Sequence, residues 1–383
     1  MLGSKRTNRT KAALIVAAIA IAASLMNANA IHVVQTKATS LTYRTSTAIT
    51  ALYQLITIDP KQLEPFFQSF DIWNRDGAST ASDFEKGLPH KQFCVNQADA
   101  DIVVDYYGIL NRLCALGNVE KMYIPPIMEP NLGVFDNQLL YERSFAHKLH
   151  VGKGHHLLEL GCGRGRITHH IATQTGATIT AINIEPDQLS AAINFAASQN
   201  MNGTQLNFLQ GNYNDPLPFE DNAFDGLYQV QAFTYAWDLN KLFAEIARVL
   251  KPGSMISILD GVMLDGYDPS NATHRRLLYE TRQVTGLGGF WHYKYWLHAL
   301  TSNGFTIIES EVKGGHQFPL IDRERWLFEN AAKVVDFLDR FHLLPPHVNR
   351  LIKRFTQHGE SFTTMDREDM FTTSYAIIAR LDK

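Results

Sequence analysis

The sequence predicts an α/β protein built on a doubly wound, mostly parallel, seven-stranded Rossmann-like sheet. Three observations carry that expectation. Between 155 and 260, β-branched and apolar runs alternate with helical stretches, which is the βαβ signature. The run Leu157-Leu158-Glu159-Leu160-Gly161-Cys162-Gly163-Arg164-Gly165-Arg166-Ile167 joins a buried strand through three glycines to a helix. Proline and glycine punctuate the alternation: Pro186 opens one helix, and Lys251-Pro252-Gly253 turns the chain into a later strand.

Taken in order, 35–118 forms an N-terminal helical region, with helices expected over 41–58 and 98–116 and a loop over 74–80. The stretch 118–137 is irregular, with Pro125, Pro126, Pro130 and Gly133, and a helix follows over 138–149. Strands are expected at 155–160, 177–183, 205–210, 224–230 and 255–260, with helices at 186–200 and 239–250 between them. Helices over 271–284 and 292–302 and a strand at 305–312 come next. An insertion then carries apolar residues at 327, 331, 334, 335, 338 and 341, a helical spacing that predicts a helix over 323–342. Pro345-Pro346 interrupts it, 348–357 continues, and a strand at 372–381 ends the domain that starts at 119.

The glycine turn is where chemistry is expected. Gly161, Gly163 and Gly165 permit backbone conformations closed to other residues, and the following helix presents free N–H groups to whatever lies in the turn. Such a turn cradles either a dinucleotide pyrophosphate or the amino-acid end of S-adenosylmethionine. A dinucleotide fingerprint needs a glycine at 166, where Arg166 stands. Glu159 suits an ammonium and repels a pyrophosphate, which favours S-adenosylmethionine.

Composition narrows the rest. With 45% apolar residues the chain can bury a full core, and a net charge of −3 leaves no nucleic-acid footprint. Cys94, Cys114 and Cys162 are too few and too scattered for a disulfide framework or metal cluster. Residues 1–34 stand apart: Lys5, Arg6, Arg9 and Lys11 precede an apolar run over 12–26 and then Asn27-Ala28-Asn29-Ala30. A membrane anchor and a cleaved secretory signal compete for this segment, and the anchor is preferred. The expected location is membrane-associated, at the endoplasmic reticulum, with other targeting left open.

In an open α/β sheet, ligands gather at the carboxyl ends of the strands. Asn183, Glu185 and Gln188 follow the second strand and suit ribose hydroxyls. Asn212 and Tyr213 follow the third and suit an adenine. Gln229, Gln231 and Tyr235 follow the fourth, and Asp260 ends the fifth.

These segments, together with Leu250-Lys251-Pro252-Gly253, resemble class I S-adenosylmethionine-dependent methyltransferases. More narrowly, the 183–188 segment, Val262-Met263-Leu264-Asp265-Gly266-Tyr267-Asp268, Asn271, His274 and the tail from Leu343-Leu344-Pro345-Pro346 resemble the sterol 24-C-methyltransferases. Departures from that family's pattern fall at 122–127 and at Gln231 and Tyr235. The resemblance implies C-methylation of a side-chain alkene of a sterol or related triterpenoid, through a carbocation and without a metal. It implies Glu159, Gly161, Gly163, Gly165, Asn183, Gln188, Asn212 and Tyr213 as cofactor residues. Asp260, where the family has Glu, is the expected acid or cation-steadying group, with Glu280 in reserve and Tyr235 as an aromatic aid. Tyr123, Phe233, Trp237 and Trp291 are expected against the substrate. Methylation of another prenyl lipid or small molecule, such as a quinone or triterpene, and non-catalytic binding of S-adenosylmethionine or lipid by the same fold are the competing readings.

Overall fold

A computed structural model describes residues 53–69, 78–88, 96–116 and 119–382. The expectations for 1–34, for 41–52 and for 74–77 lie outside the described residues. The seven strands form one sheet: β1 (His156–Leu160), β2 (Thr178–Asn183), β3 (Leu206–Gln210), β4 (Phe224–Val230), β5 (Leu250–Met263), β6 (Phe305–Val312) and β7 (Phe371–Leu381). Their order is β3-β2-β1-β4-β5-β7-β6. The first five are parallel to one another, and β7 lies antiparallel between β5 and β6. Leu160 is paired with Ile182, and Asn183 with Gln210, so the polar residues after these strands emerge along one edge.

The helices among the described residues are α1 (Glu64–Ser69), α2 (Ala81–Glu85), α3 (Ala100–Leu116), α4 (Val134–Lys148), α5 (Arg166–Thr175), α6 (Pro186–Ser198), α7 (Leu239–Val249), α8 (Ala272–Thr285), α9 (Tyr293–Ser302), α10 (Phe318–Arg340), α11 (Pro346–Thr356) and α12 (Gly359–Arg367). Successive strand residues point to opposite faces. Leu158 therefore packs with Phe243 and Ile246 of α7 and Trp296 of α9, while Leu157 packs with Tyr141 and Phe145 of α4 and Ile171 of α5. The sequence of α7 shows why it is a helix. Asp238 caps its start by accepting from the Lys241 amide, and Leu239, Leu242, Phe243, Ile246 and Val249 recur on its buried side.

A third apolar cluster roofs the ligand edge of the sheet. Leu55, Leu63, Phe66, Val103, Tyr106, Ile109 and Leu113 from the N-terminal region meet Tyr235 and, from α11, Leu351.

Three expectations are corrected. Lys251-Pro252-Gly253 lies inside β5 rather than before it; Gly253 keeps the left-handed φ of +84° and the pairing with β4 shifts register there. The insertion helix starts at Phe318, since Pro319 in its first turn loses no hydrogen bond. A further helix, α12, buries Ser361, Phe362, Thr363, Met365 and Asp366 where none was expected.

Candidate active site

A solvent-open cavity lies at the carboxyl ends of β1, β2, β3 and β4, beneath α3. Its floor is the glycine turn. The amides of Gly161 and Cys162 both donate to the Ile182 carbonyl, at 2.9 and 3.1 Å, and the Gly165 amide donates to Cys162 at 3.0 Å. Gly161 holds φ +82°, and a Cβ on it would overlap that of Ala232 in the loop after β4. Gly165 does not line the cavity. A Cβ there would stand 2.8 Å from Ala192 Cβ and 3.1 Å from Phe208, so this glycine lets α5 close on α6 and β3. Gly165→Val should therefore cost about 2–4 kcal/mol of stability. A thermal melt reads this, and an unchanged midpoint would mean that the neighbours give way freely.

At the end of β2 the amides form a continuous net. The Gly163 amide donates to Asn183 Oδ1 at 3.3 Å, and Asn183 Nδ2 to Gln188 Oε1 at 2.9 Å. Gln188 Nε2 donates to Asn111 Oδ1, and Asn111 Nδ2 to Glu185 Oε2, each at 3.0 Å. Helix α3 is thereby tied to the edge of the sheet. After β3, Asn212 Oδ1 accepts from the amide and the side chain of Asn214, each at 3.0 Å. Asn214 in turn holds the Trp237 amide at 2.7 Å and the Tyr235 carbonyl at 3.1 Å. The Tyr213 hydroxyl donates to the Ala232 carbonyl.

The remaining wall is aromatic. Tyr107 of α3 and Tyr235 meet hydroxyl to hydroxyl at 3.2 Å, with their rings edge to face at 6.0 Å. Burial pushes the Tyr107 phenol up to about 12, and Tyr235 also lies well above its ordinary value, so both stay neutral. Tyr123 and Trp237 complete this wall. Tyr123 is fixed by donating to Glu142 Oε1 at 2.7 Å. The same carboxylate group takes Lys121 at 2.5 Å and His170 at 2.6 Å.

Of the expected residues, Gly161, Gly163, Asn183, Gln188, Asn212, Tyr213, Tyr123, Tyr235 and Trp237 line the cavity together. Glu159 lies directly behind the turn, buried, accepting from the Tyr228 hydroxyl at 2.8 Å. Burial raises its carboxyl to about 7. Besides Gly165, which packs helices rather than lining the cavity, four expectations need correction. Phe233 and Trp291 are wholly buried: Phe233 packs on Phe243 and Trp291 on Trp296, so neither reaches a ligand. Asp260 turns inward. Its Oδ2 accepts from the Phe233 amide at 2.8 Å and Gln229 Nε2 at 3.2 Å, and its Oδ1 from the Gly261 amide at 2.7 Å, so it ties down the loop after β4. Glu280 accepts from the Ser361 hydroxyl and from Arg276 at 3.3 Å, joining α8 to α12 away from the cavity.

Sequence reasoning missed Tyr107 and Asn111. The signal was present: Val103, Tyr107 and Asn111 recur every four residues along α3, a stripe whose last member is an amide inside a helix.

This arrangement at the strand edge is similar to the cofactor end of class I methyltransferases. The model of the methyltransferase domain matches residues 158–258. Beyond that domain, the chain resembles the sterol 24-C-methyltransferases. It is 26% identical to one from Gibberella zeae over 63% of this chain and 68% of that one. It is 32% identical to the sterol 24-C-methyltransferase of Saccharomyces cerevisiae over 53% of this chain and 54% of the other, so it spans little more than half of that relative. Among solved structures, the [4+2]-cyclase SpnF superposes with a TM-score of 0.56 at 20% identity, over 80% of this chain and 98% of that one. This last likeness is one of fold.

Proposed function

We propose that this protein is an S-adenosylmethionine-dependent C-methyltransferase acting on the side-chain alkene of a sterol or related triterpenoid. The observation that carries the reading is the juxtaposition, in one cavity, of the glycine turn and amide net with the aromatic wall of Tyr107, Tyr123, Tyr235 and Trp237. The residues fit the cofactor. The turn at Gly161 and Gly163 leaves backbone open to its amino-acid end, with Glu159 behind for the ammonium. Asn183 and Gln188 offer amide groups to the ribose, and Asn212 and Tyr213 stand at the base.

S-adenosylmethionine, when bound, supplies an electrophilic methyl group to an electron-rich alkene carbon, leaving a cation on the acceptor. The chain then has to align the acceptor, exclude water and steady that cation. The neutral aromatic faces of Tyr107, Tyr235 and Trp237 suit this, at about 0.5–2 kcal/mol each. Asp99, which accepts from the Asn96 amide at 2.8 Å, and Glu120, which pairs with Arg166 at 3.4 Å, are the other carboxylates that line the cavity and the candidates for the final proton.

The test is incubation of the purified full chain with methyl-labelled S-adenosylmethionine and a panel of sterols, triterpenes and quinones. Label in a sterol or triterpene hydrocarbon side chain is expected. Label only in a quinone would move the acceptor to another prenyl lipid, and no transfer to any acceptor despite cofactor binding would make the protein a non-catalytic relative.

The Glu159 assignment has a test of its own. With its carboxyl raised to about 7 in the free protein, binding an ammonium below that pH must expel a proton. Affinity for S-adenosylmethionine should rise with pH from 5 towards 7, by up to about tenfold per unit, and level off above. Calorimetry in buffers of different ionisation enthalpy reads the released proton, and Glu159→Gln should flatten the profile. A pH-independent affinity in the parent would put the ammonium elsewhere.

A further inference from the structure

We propose that the α10–α11 edge docks on an anionic phospholipid bilayer, with Phe337 and Phe341 entering the acyl boundary. Val334, Phe337 and Phe341 follow an i, i+3, i+7 spacing and so share one side of the helical path. They are 43, 60 and 61% exposed, and Leu343, just past the helix, is 36% exposed. The rings of Phe337 and Phe341 lie 4.9 Å apart and make one ridge. A single exposed apolar side chain needs no explanation, but a contiguous ridge of four does.

The charges around the ridge say what covers it. Lys333 and Arg340 carry the positive charge beside the ridge, while Arg350 pairs with Glu64, Lys353 with Asp336, and Arg354 donates to Gln283. The two acids between Lys333 and Arg340 are turned toward α11: Asp336 pairs with Lys353 at 2.9 Å, and Asp339 accepts from Asn349 at 2.6 Å. Lys333 and Arg340 fall about 40–60° from Phe337 around the helix, on the flank of the ridge. Apolar rings in front, cations beside them and acids behind suit anionic headgroups above acyl chains. An apolar protein partner would have no use for the flanking cations. No helix among the described residues is long and apolar enough to cross a membrane, so α10 would lie along the surface.

The ridge is braced to the roof of the cavity. Arg350 pairs with Glu64 at 3.0 Å and stacks on Phe67 at 3.5 Å, and Leu351 packs with Leu55, Tyr106 and Tyr235. Docking would thus hold the roofed cavity next to the bilayer, where a lipid acceptor resides. The docking does not depend on which acceptor is methylated, and vesicle binding and methyl transfer are read separately.

The test uses the full chain and vesicles of phosphatidylcholine with or without phosphatidylserine. Phe337→Trp should gain fluorescence quenching by brominated acyl chains beyond that of the parent, and more so with phosphatidylserine. Replacing Phe337 and Phe341 together by Asn should weaken vesicle partitioning on the order of a hundredfold. Replacing Lys333 and Arg340 by Gln should cost about fivefold each at low salt and flatten the salt dependence. Methyl transfer to a detergent-dispersed acceptor should be unchanged in all of these variants. Quenching no greater than in the parent would overturn the proposal. So would equal partitioning of the double Asn variant, which would assign membrane contact to another segment. Self-association lost in the double Asn variant without any vesicle binding by the parent would make the ridge a contact between copies, and would overturn it too.

Discussion

Gly161→Arg should abolish measurable binding of S-adenosylmethionine, weakening it on the order of a hundredfold or more, equivalent to about 3 kcal/mol. The position leaves no room for compensation. Its φ of +82° belongs to the left-handed region, and any Cβ runs into Ala232. The turn cannot slide away, since the amides of Gly161 and Cys162 are both held by the Ile182 carbonyl. A side chain here must therefore displace either the floor of the cavity or the loop after β4, which carries Tyr235 and Trp237. Calorimetry with S-adenosylmethionine or its demethylated product measures the effect. An unchanged affinity would place the cofactor outside this turn, and with it the proposed reaction.

Asp260→Asn should lower stability by about 2–4 kcal/mol and reduce turnover with it. Both carboxyl oxygens accept hydrogen bonds inside the protein, and three of the donors belong to the backbone or side chains of 229–261. An amide keeps the shape but turns an N–H₂ group toward one of these donors. One buried donor is left unsatisfied, and the loop bearing Tyr235 and Trp237 loses its tether. Thermal melts and steady-state turnover, measured together, separate this positioning role from chemistry. Turnover that collapses while the melting midpoint holds would return Asp260 to the reaction itself. Its carboxyl is raised by burial to about 7, which by itself does not distinguish a buried anchor from an acid.

The contrast between these two residues marks what the sequence could tell. The glycine turn is a local device. Its conformation follows from residues adjacent in the chain, and so does the pairing of Asn183 with Gln188, five residues apart across the β2–α6 turn. Asp260 was expected to end the fifth strand, yet β5 runs on to Met263, and the direction of its side chain depends on a register shift between β5 and β7 and on amides from the β4 loop, which are set by tertiary packing. Phe233 and Trp291 share that difficulty, because an aromatic residue past a strand end serves core and cavity equally well. Tyr107 and Asn111 lay outside the expected site for the opposite reason. The helix carrying them was foreseen, whereas its docking over the sheet edge rests on Glu185 and Gln188, more than seventy residues further on.

The position of β7 has a consequence for how the protein is made. The strand lies between β5 and β6, yet almost sixty residues, including α10, α11 and α12, separate it from β6. As the chain leaves the ribosome, β5 and β6 are finished long before the strand that fits between them. Until Phe371–Leu381 emerges, both must wait with unpaired edges, and such edges recruit other chains. Completion of the sheet is therefore a late, long-range event, for which a chaperone that shields open strands during synthesis would be most useful.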